Sequence, residues 1–171
     1  MKEEKIIIYT DGSARGNPGP AGWASIILIG KEKFEIGGRA EKATNNQMEL
    51  SSPIGALKYI KKQRLARTVL ASDVLASDIE IFSDSKYVIL GITEWIFNWQ
   101  KNNWKNAAKK PVVNRELWEE LFELTKKFKI KWTYVEGHTG NKWNERADEI
   151  AISFADNEPV KLSTDKVLLF E

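Results

Sequence analysis

The chain has 171 residues, 42% hydrophobic and 29% charged, with a net charge of +2, the make-up of one ordinary soluble domain with a single core. Cysteine is absent, so a disulfide framework, a thiolate metal site and a cysteine nucleophile are all excluded. No run approaches the roughly 18 apolar residues of a membrane span, and the opening MKEEKIII mixes acids with lysines before an apolar run too short for a signal sequence, so the chain reads as cytoplasmic.

Lys5 to Thr10 is a short β-branched run ended by turn residues, which predicts a buried strand with Asp11 at its end. Trp23 to Ile29 and Lys33 to Arg39 predict two more strands around Gly30-Lys31, making an antiparallel meander. Thr44 is placed to cap a helix whose apolar face runs through Met48, Leu50, Ile54, Leu57, Tyr59 and Ile60 to about Lys62. Ile79 to Ser83 predicts a fourth strand, and Asp84-Ser85 a cap for a helix through Leu90. Asn114 is placed to cap a helix carrying Leu117, Trp118, Leu121, Phe122 and Leu124; Ile130 to Val135 is the last strand and Asn144 to Phe154 the last helix. A meander followed by alternating helices and strands predicts an α/β mixed sheet with helices on its faces. Residues 1–155 read as one domain, with an inserted loop over 62–78 that contains the tandem repeat VLASDVLASD, and residues 156–171 as a tail. The sequence leaves open whether the tail packs as an extra strand or stays loose.

The informative acids are those at strand ends and among apolar residues: Asp11, Glu49, Asp84 and Asp148. If the first and fourth strands are parallel neighbours, Asp11 and Asp84 emerge together where open α/β folds bind ligands. Bare carboxylates so close raise each other's pKa, and divalent cations remove that difficulty. Hard oxygen ligands in a partly open site suit Mg²⁺ or Mn²⁺. Four carboxylates can hold two such ions roughly 3.5–4 Å apart, an arrangement suited to phosphodiester cleavage. Each acid also has an ordinary explanation: a turn for Asp11, an N-cap for Asp84, the helix dipole for Glu49, and pairing with Arg146 or a lysine for Asp148.

The segments YTDGSARGNPGPAGW, TNNQMEL, FSDSKYV, GITEWIFNWQKNNWKNAAKKPV, GHTGN and NERADEIA resemble, in family order, those of bacterial type 1 ribonuclease H. The resemblance spans about Ile6 to Ala155. It implies a ribonuclease H-like fold with a five-stranded mixed sheet, antiparallel meander plus parallel strands, flanked by helices. It implies endonucleolytic cleavage of the RNA strand of RNA–DNA hybrids, leaving 3′-hydroxyl and 5′-phosphate ends, by a monomer using two Mg²⁺ ions, with Mn²⁺ as a substitute. Carried over by position, the metal ligands are Asp11, Glu49, Asp84 and Asp148, and His138 is the catalytic histidine of a mobile loop. His138 is the only histidine. It sits between glycines, where imidazole can reach a phosphate and exchange protons near neutral pH.

Trp95 to Val113 holds no acid but contains Lys101, Lys105, Lys109 and Lys110 interleaved with Trp95, Trp99 and Trp104, a pattern suited to tracking a nucleic-acid backbone. By resemblance this segment is the basic protrusion that holds the DNA strand. Gly12, Ser13, Gly16 and Asn17 leave room for close approach to the ribose, whose 2′-hydroxyl distinguishes RNA. By resemblance Asn45 enters the minor groove, Thr44 and Asn46 hold a DNA phosphate, and Lys86 and Asn114 also meet substrate. Two departures stand out: Lys86 occupies a position where many members carry glutamine, and Ser52-Pro53 is expected to interrupt the helix after Glu49. The alternatives are a non-catalytic or weakly active nucleic-acid binding module on the same fold, and a transposase or integrase core. An aspartyl-nucleophile phosphatase would need a second aspartate at position 13, which is Ser13.

Overall fold

The computed structural model describes residues 5–67 and 78–163. Strands β1 (Ile6–Ala14), β2 (Gly19–Ile29) and β3 (Glu32–Ala43) form the predicted antiparallel meander, while β4 (Asp78–Ser83) and β5 (Lys129–Tyr134) add in parallel. The sheet order is β3-β2-β1-β4-β5, so the first strand lies at the centre, which explains its unbroken isoleucine run. Ile6 and Ile8 face the main core with Ile27, Ile79 and Ile81, and meet Leu50, Ile54, Leu57 and Ile60 of helix α1 (Asn45–Arg67) and Trp118 and Leu121 of α4 (Arg115–Thr125). The alternate residues Ile7 and Tyr9 face the other side, with Ile26, Phe82 and Ala147 of α5 (Lys142–Ala155). A strand covered on both faces needs apolar residues at every position.

Between β4 and α4, a short α2 (Lys86–Leu90) runs through a π-helical turn at Gly91–Trp95 into α3 (Ile96–Lys101). The expected helix through Leu90 thus continues, and Trp95 and Trp99, four apart in sequence, lie along its continuation. Trp118 is fully buried, as its place in the α4 apolar pattern predicts.

Local chemistry explains several ends. Thr44 Oγ1 accepts from the Gln47 N–H at 3.1 Å, and Gln47 Oε1 accepts from the Thr44 N–H at 2.9 Å, a reciprocal capping box. Ser85 Oγ accepts from Val88 N–H at 3.2 Å. Asn141, three residues ahead of the expected start, caps α5 through the N–H groups of Trp143 and Asn144. Asn114 departs from expectation: it precedes α4 in the left-handed region (φ 63°) and its side chain makes no cap. Its Nδ2 instead donates to Tyr87 Oη at 3.2 Å, beside a matching bond from Trp118 Nε1.

The expected interruption at Ser52-Pro53 does not occur; α1 continues through both residues and past Lys62 to Arg67. Proline removes one backbone donor, but tertiary contacts hold the turn in place. Ser25 Oγ donates to the Ser52 carbonyl at 2.8 Å, and Ser52 Oγ donates to the Ala24 carbonyl. Of the VLASD repeat, Asp78 opens β4, while residues 69–77 lie outside the described residues, as do 164–171 of the tail.

Candidate active site

Asp11 does not end β1. The strand continues to Ala14 against β2, and what stops at the Thr10–Ser83 pair is its parallel ladder with β4. The next residue on each strand is Asp11 and Asp84, so the register itself sets these carboxylates side by side at the end of the ladder. Pleat alternation turns Asp11 to the α5 side and Gly12 to the α1 side. A Cβ on Gly12 would lie 2.5 Å from the Glu49 nitrogen; only glycine lets the first turns of α1 come close enough to bring Glu49 to Asp11.

One oxygen from each of Asp11, Glu49 and Asp84 lies within 4.8 Å of the others. Asp148, half-buried on α5, stands beside this triad, and its proximity helps to raise the Asp11 carboxyl. Burial, reinforced by the Asp84 charge, pushes the Asp11 carboxyl from 3.8 up to about 8, although the Gly12 N–H bonds it at 2.8 Å. Burial, then Asp11 and Asp84, raise Glu49 well above the ordinary range. Burial also raises Asp84, with the Asp148 charge adding to it, while Asn144 and His138 act in the opposite sense.

Glu49 Oε2 is buried with no hydrogen-bond partner among the described residues. An orphaned carboxylate oxygen facing two further carboxylates is costly in itself. The donor set, all hard oxygens in a partly open cluster, fits a divalent cation such as Mg²⁺ or Mn²⁺.

The sequence reading missed Asn144. It is 3% exposed and one helical turn before Asp148, and its Nδ2 also lacks a partner among the described residues. It lies beside Asp84 and acts on that carboxyl as a hydrogen-bond donor, in the lowering sense. The signal was present in NERADEIA as an asparagine four residues before an acid.

His138 is exposed, with φ 59°, in the segment between β5 and α5. A Cβ on neighbouring Gly137 would lie 2.8 Å from Asp84 Oδ2, so this segment passes directly over Asp84. Gly12 and Ser13 are half-buried, Asn17, Asn45 and Asn46 exposed, and Thr44 half-buried. Two bonds join the loop to the helix start: Asn45 Oδ1 accepts from Ala14 N–H at 2.8 Å, and Asn17 Oδ1 accepts from Asn45 N–H at 3.0 Å. The two segments form one polar rim next to the carboxylates. Lys86 is exposed, its Nζ 5.2 Å from the Tyr134 ring.

On the protrusion, Lys101, Lys105, Lys109 and Lys110 are all exposed. The tryptophans divide. Trp99 and Trp104 pack against the core, Trp99 also against Trp118 at 5.3 Å, whereas Trp95 is 37% exposed. A cleft of about 290 Å³ lies among Trp95, Asn98, Trp99, Asn102 and Lys105.

The sequence profile of the RNase H family matches residues 3–156. A protein named Ribonuclease H from Francisella philomiragia is 43% identical over 150 residues, covering 88% of this chain and 90% of the relative. In three dimensions, LC9-RNase H1, described as a type 1 RNase H with the type 2 active-site motif, superposes with a TM-score of 0.77 at 21% identity, covering 97% of this chain and 80% of that one. LC11-RNase H1, solved in complex with an RNA/DNA hybrid, gives a TM-score of 0.62 at 24% identity, covering 90% of this chain and 98% of that one.

Proposed function

The chain belongs to the RNase H family, and from that premise we propose that it hydrolyses the RNA strand of RNA–DNA hybrids at the cluster of Asp11, Glu49, Asp84 and Asp148. The observation that carries this reading is the convergence of three carboxylate oxygens within 4.8 Å, on carboxylates that include Glu49, whose Oε2 is buried and orphaned among the described residues. In this reading the four carboxylates hold two Mg²⁺ ions, or Mn²⁺ in their place. Bound cations supply activation of the attacking water and neutralise charge at the leaving oxygen, giving 3′-hydroxyl and 5′-phosphate products.

The protein's own groups do the rest. Asn144 orients Asp84. His138, on its exposed segment, exchanges a proton with the attacking water oxygen and then moves away as product leaves. The rim of Gly12, Ser13, Asn17, Thr44, Asn45 and Asn46 approaches the sugar edges of the minor groove, with Lys86 beside it. Lys101, Lys105, Lys109 and Lys110, with Trp95, take the DNA backbone. Recognition of shape and sugar predicts little sequence preference. Among the described residues no helix is long and apolar enough to cross a membrane; the working unit in this reading is a monomer.

The test is a labelled RNA strand annealed to DNA, with single-stranded RNA, duplex RNA and duplex DNA as controls, each with and without Mg²⁺. Cleavage confined to the RNA of the hybrid and dependent on metal is expected. Hybrid binding without cleavage by pure protein would support the non-catalytic module instead.

A further inference from the structure

A second buried charge cluster lies on the far side of α5 from the carboxylates. The Glu35 side chain in β3 is 0% exposed, and Arg146 grips it twice, Nε to Oε2 at 2.7 Å and Nη2 to Oε1 at 3.1 Å. Arg146 also donates to Glu149 at 3.0 Å and to the carbonyl of Lys161 at 3.1 Å. Ser163 completes the knot: its N–H donates to Glu35 Oε1 at 2.8 Å, and its carbonyl accepts from the Glu35 N–H at 2.9 Å. Val160 N–H donates to Ser153 Oγ at 3.2 Å, and Val160 and Leu162 lie on Ala24, Ile150, Ala151 and Phe154. Residues 156–163 therefore form a strap from the end of α5 back to the edge strand β3. A further tie joins Asp156 to Arg15, just past the catalytic stretch of β1, at 2.6 and 2.8 Å.

A buried ion pair adds little net stability over an apolar pair of the same size. What it does supply is one defined geometry, because a bidentate guanidinium–carboxylate pair tolerates little rotation. The position of the pair gives that geometry a use. Asn144 and Asp148 are four residues apart and share the helix face toward Asp84 and Asp11; Arg146 lies midway, about 200° round the helix from each. We propose that Glu35, Arg146 and the strap at 156–163 are positioning elements of the active site, holding α5 at the rotation where Asp148 meets Asp11. This rests on the proposed nuclease reading. A side-chain tip lies about 5–6 Å from a helix axis, so a rotation of roughly 10° moves the Asp148 carboxylate by about 1 Å, enough to cost on the order of 10²-fold in rate.

The experiment compares wild type with E35Q, R146A, R146K and S163P. It measures kcat and KM on an RNA–DNA hybrid, hybrid affinity in EDTA, Mn²⁺ affinity by calorimetry, and hydrogen exchange along α5. The expected result is a kcat loss of about 10- to 100-fold in E35Q and R146A, weaker Mn²⁺ binding, unchanged hybrid affinity, and partial rescue by R146K. S163P removes the strap's backbone donor to Glu35 and stiffens the backbone there, and a several-fold kcat loss in a folded protein is expected; this variant decides if R146A does not fold. Unchanged kcat and Mn²⁺ affinity in folded R146A and S163P would overturn the inference. So would a rate loss matched by lost hybrid affinity and loss of α5 protection, which would make the knot a general prop. Wild-type inactivity on the hybrid would instead overturn the nuclease reading, with Mn²⁺ affinity still deciding the positioning role.

Discussion

Asp11→Asn keeps the shape of the side chain at the centre of the carboxylate cluster and removes its charge, so it separates what Asp11 does for the reaction from what it costs the fold. The carboxyl moves from 3.8 to about 8 on folding, which at about 1.36 kcal/mol per pH unit is a difference of about 5–6 kcal/mol between its two protonation states. Below pH 3.8 the group is protonated in both folded and unfolded chains and costs nothing. Between 3.8 and about 8 the unfolded chain has released a proton that the native site retains, so stability falls as pH rises; above about 8 the loss is complete. Because Asp11 titrates together with neighbouring Glu49, removing its ionisation returns only part of that total, about 2–4 kcal/mol at pH 7.5. For a chain of this length that raises Tm by roughly 5–15 °C. The assay is urea and thermal unfolding of both proteins in EDTA from pH 4 to 9, read as the difference between them. Taking the difference matters, because Glu35 and Glu80 have lowered pKa values and shift stability the opposite way. The variant gains stability only above about pH 4, loses that advantage in saturating Mg²⁺, and cleaves no hybrid at any pH. A variant no more stable than wild type at pH 7.5, or one equally stabilised at pH 4, would refute the reasoning from buried charge. Retained turnover would refute the assignment of Asp11 to the reaction.

His138→Ala is expected to slow turnover by on the order of 10²-fold with hybrid affinity unchanged, because the imidazole sits on an exposed segment and supports nothing in the core; single-turnover rates against binding constants check this, and an unchanged rate would remove the residue from the mechanism. Replacing Lys105, Lys109 and Lys110 together by alanine is expected to weaken hybrid binding at low salt and to flatten the dependence of log K on log salt by up to about 2–3 in slope, with kcat at saturation preserved; affinity titrations over a salt series measure it, and an unchanged slope would show that these lysines do not meet phosphate.

How much of this was legible in the sequence depended on the range of the interactions involved. Elements built from local pattern were readable: the isoleucine run of β1, the apolar spacing of α1 and α4, the Thr44 cap and the Ser85 cap. Asp11, Glu49 and Asp84, which the structure gathers within 4.8 Å, also stood out in the sequence, each in a context where an acid is unusual and in a motif resembling a known family. Asn114 and Pro53 were misread because local rules assign asparagine to a cap and proline to a break. In the fold, Tyr87 takes the asparagine amide, and Ser25 and Ser52 hold the helix where proline removes a bond.

The sequence by itself determined the composition of the site and the periodicity of the elements that carry it. Only the tertiary structure decided that Asp11 and Asp84 become neighbours, because that follows from the Thr10–Ser83 register between strands more than 70 residues apart. It alone decided that Gly12 clears a path for Glu49, that Asn144 faces Asp84, and that the tail returns through Ser163 to lock Glu35 against Arg146. Periodicity is set by the backbone within a few residues, whereas the field at a carboxylate is set by whatever the folded chain brings within a few ångströms of it.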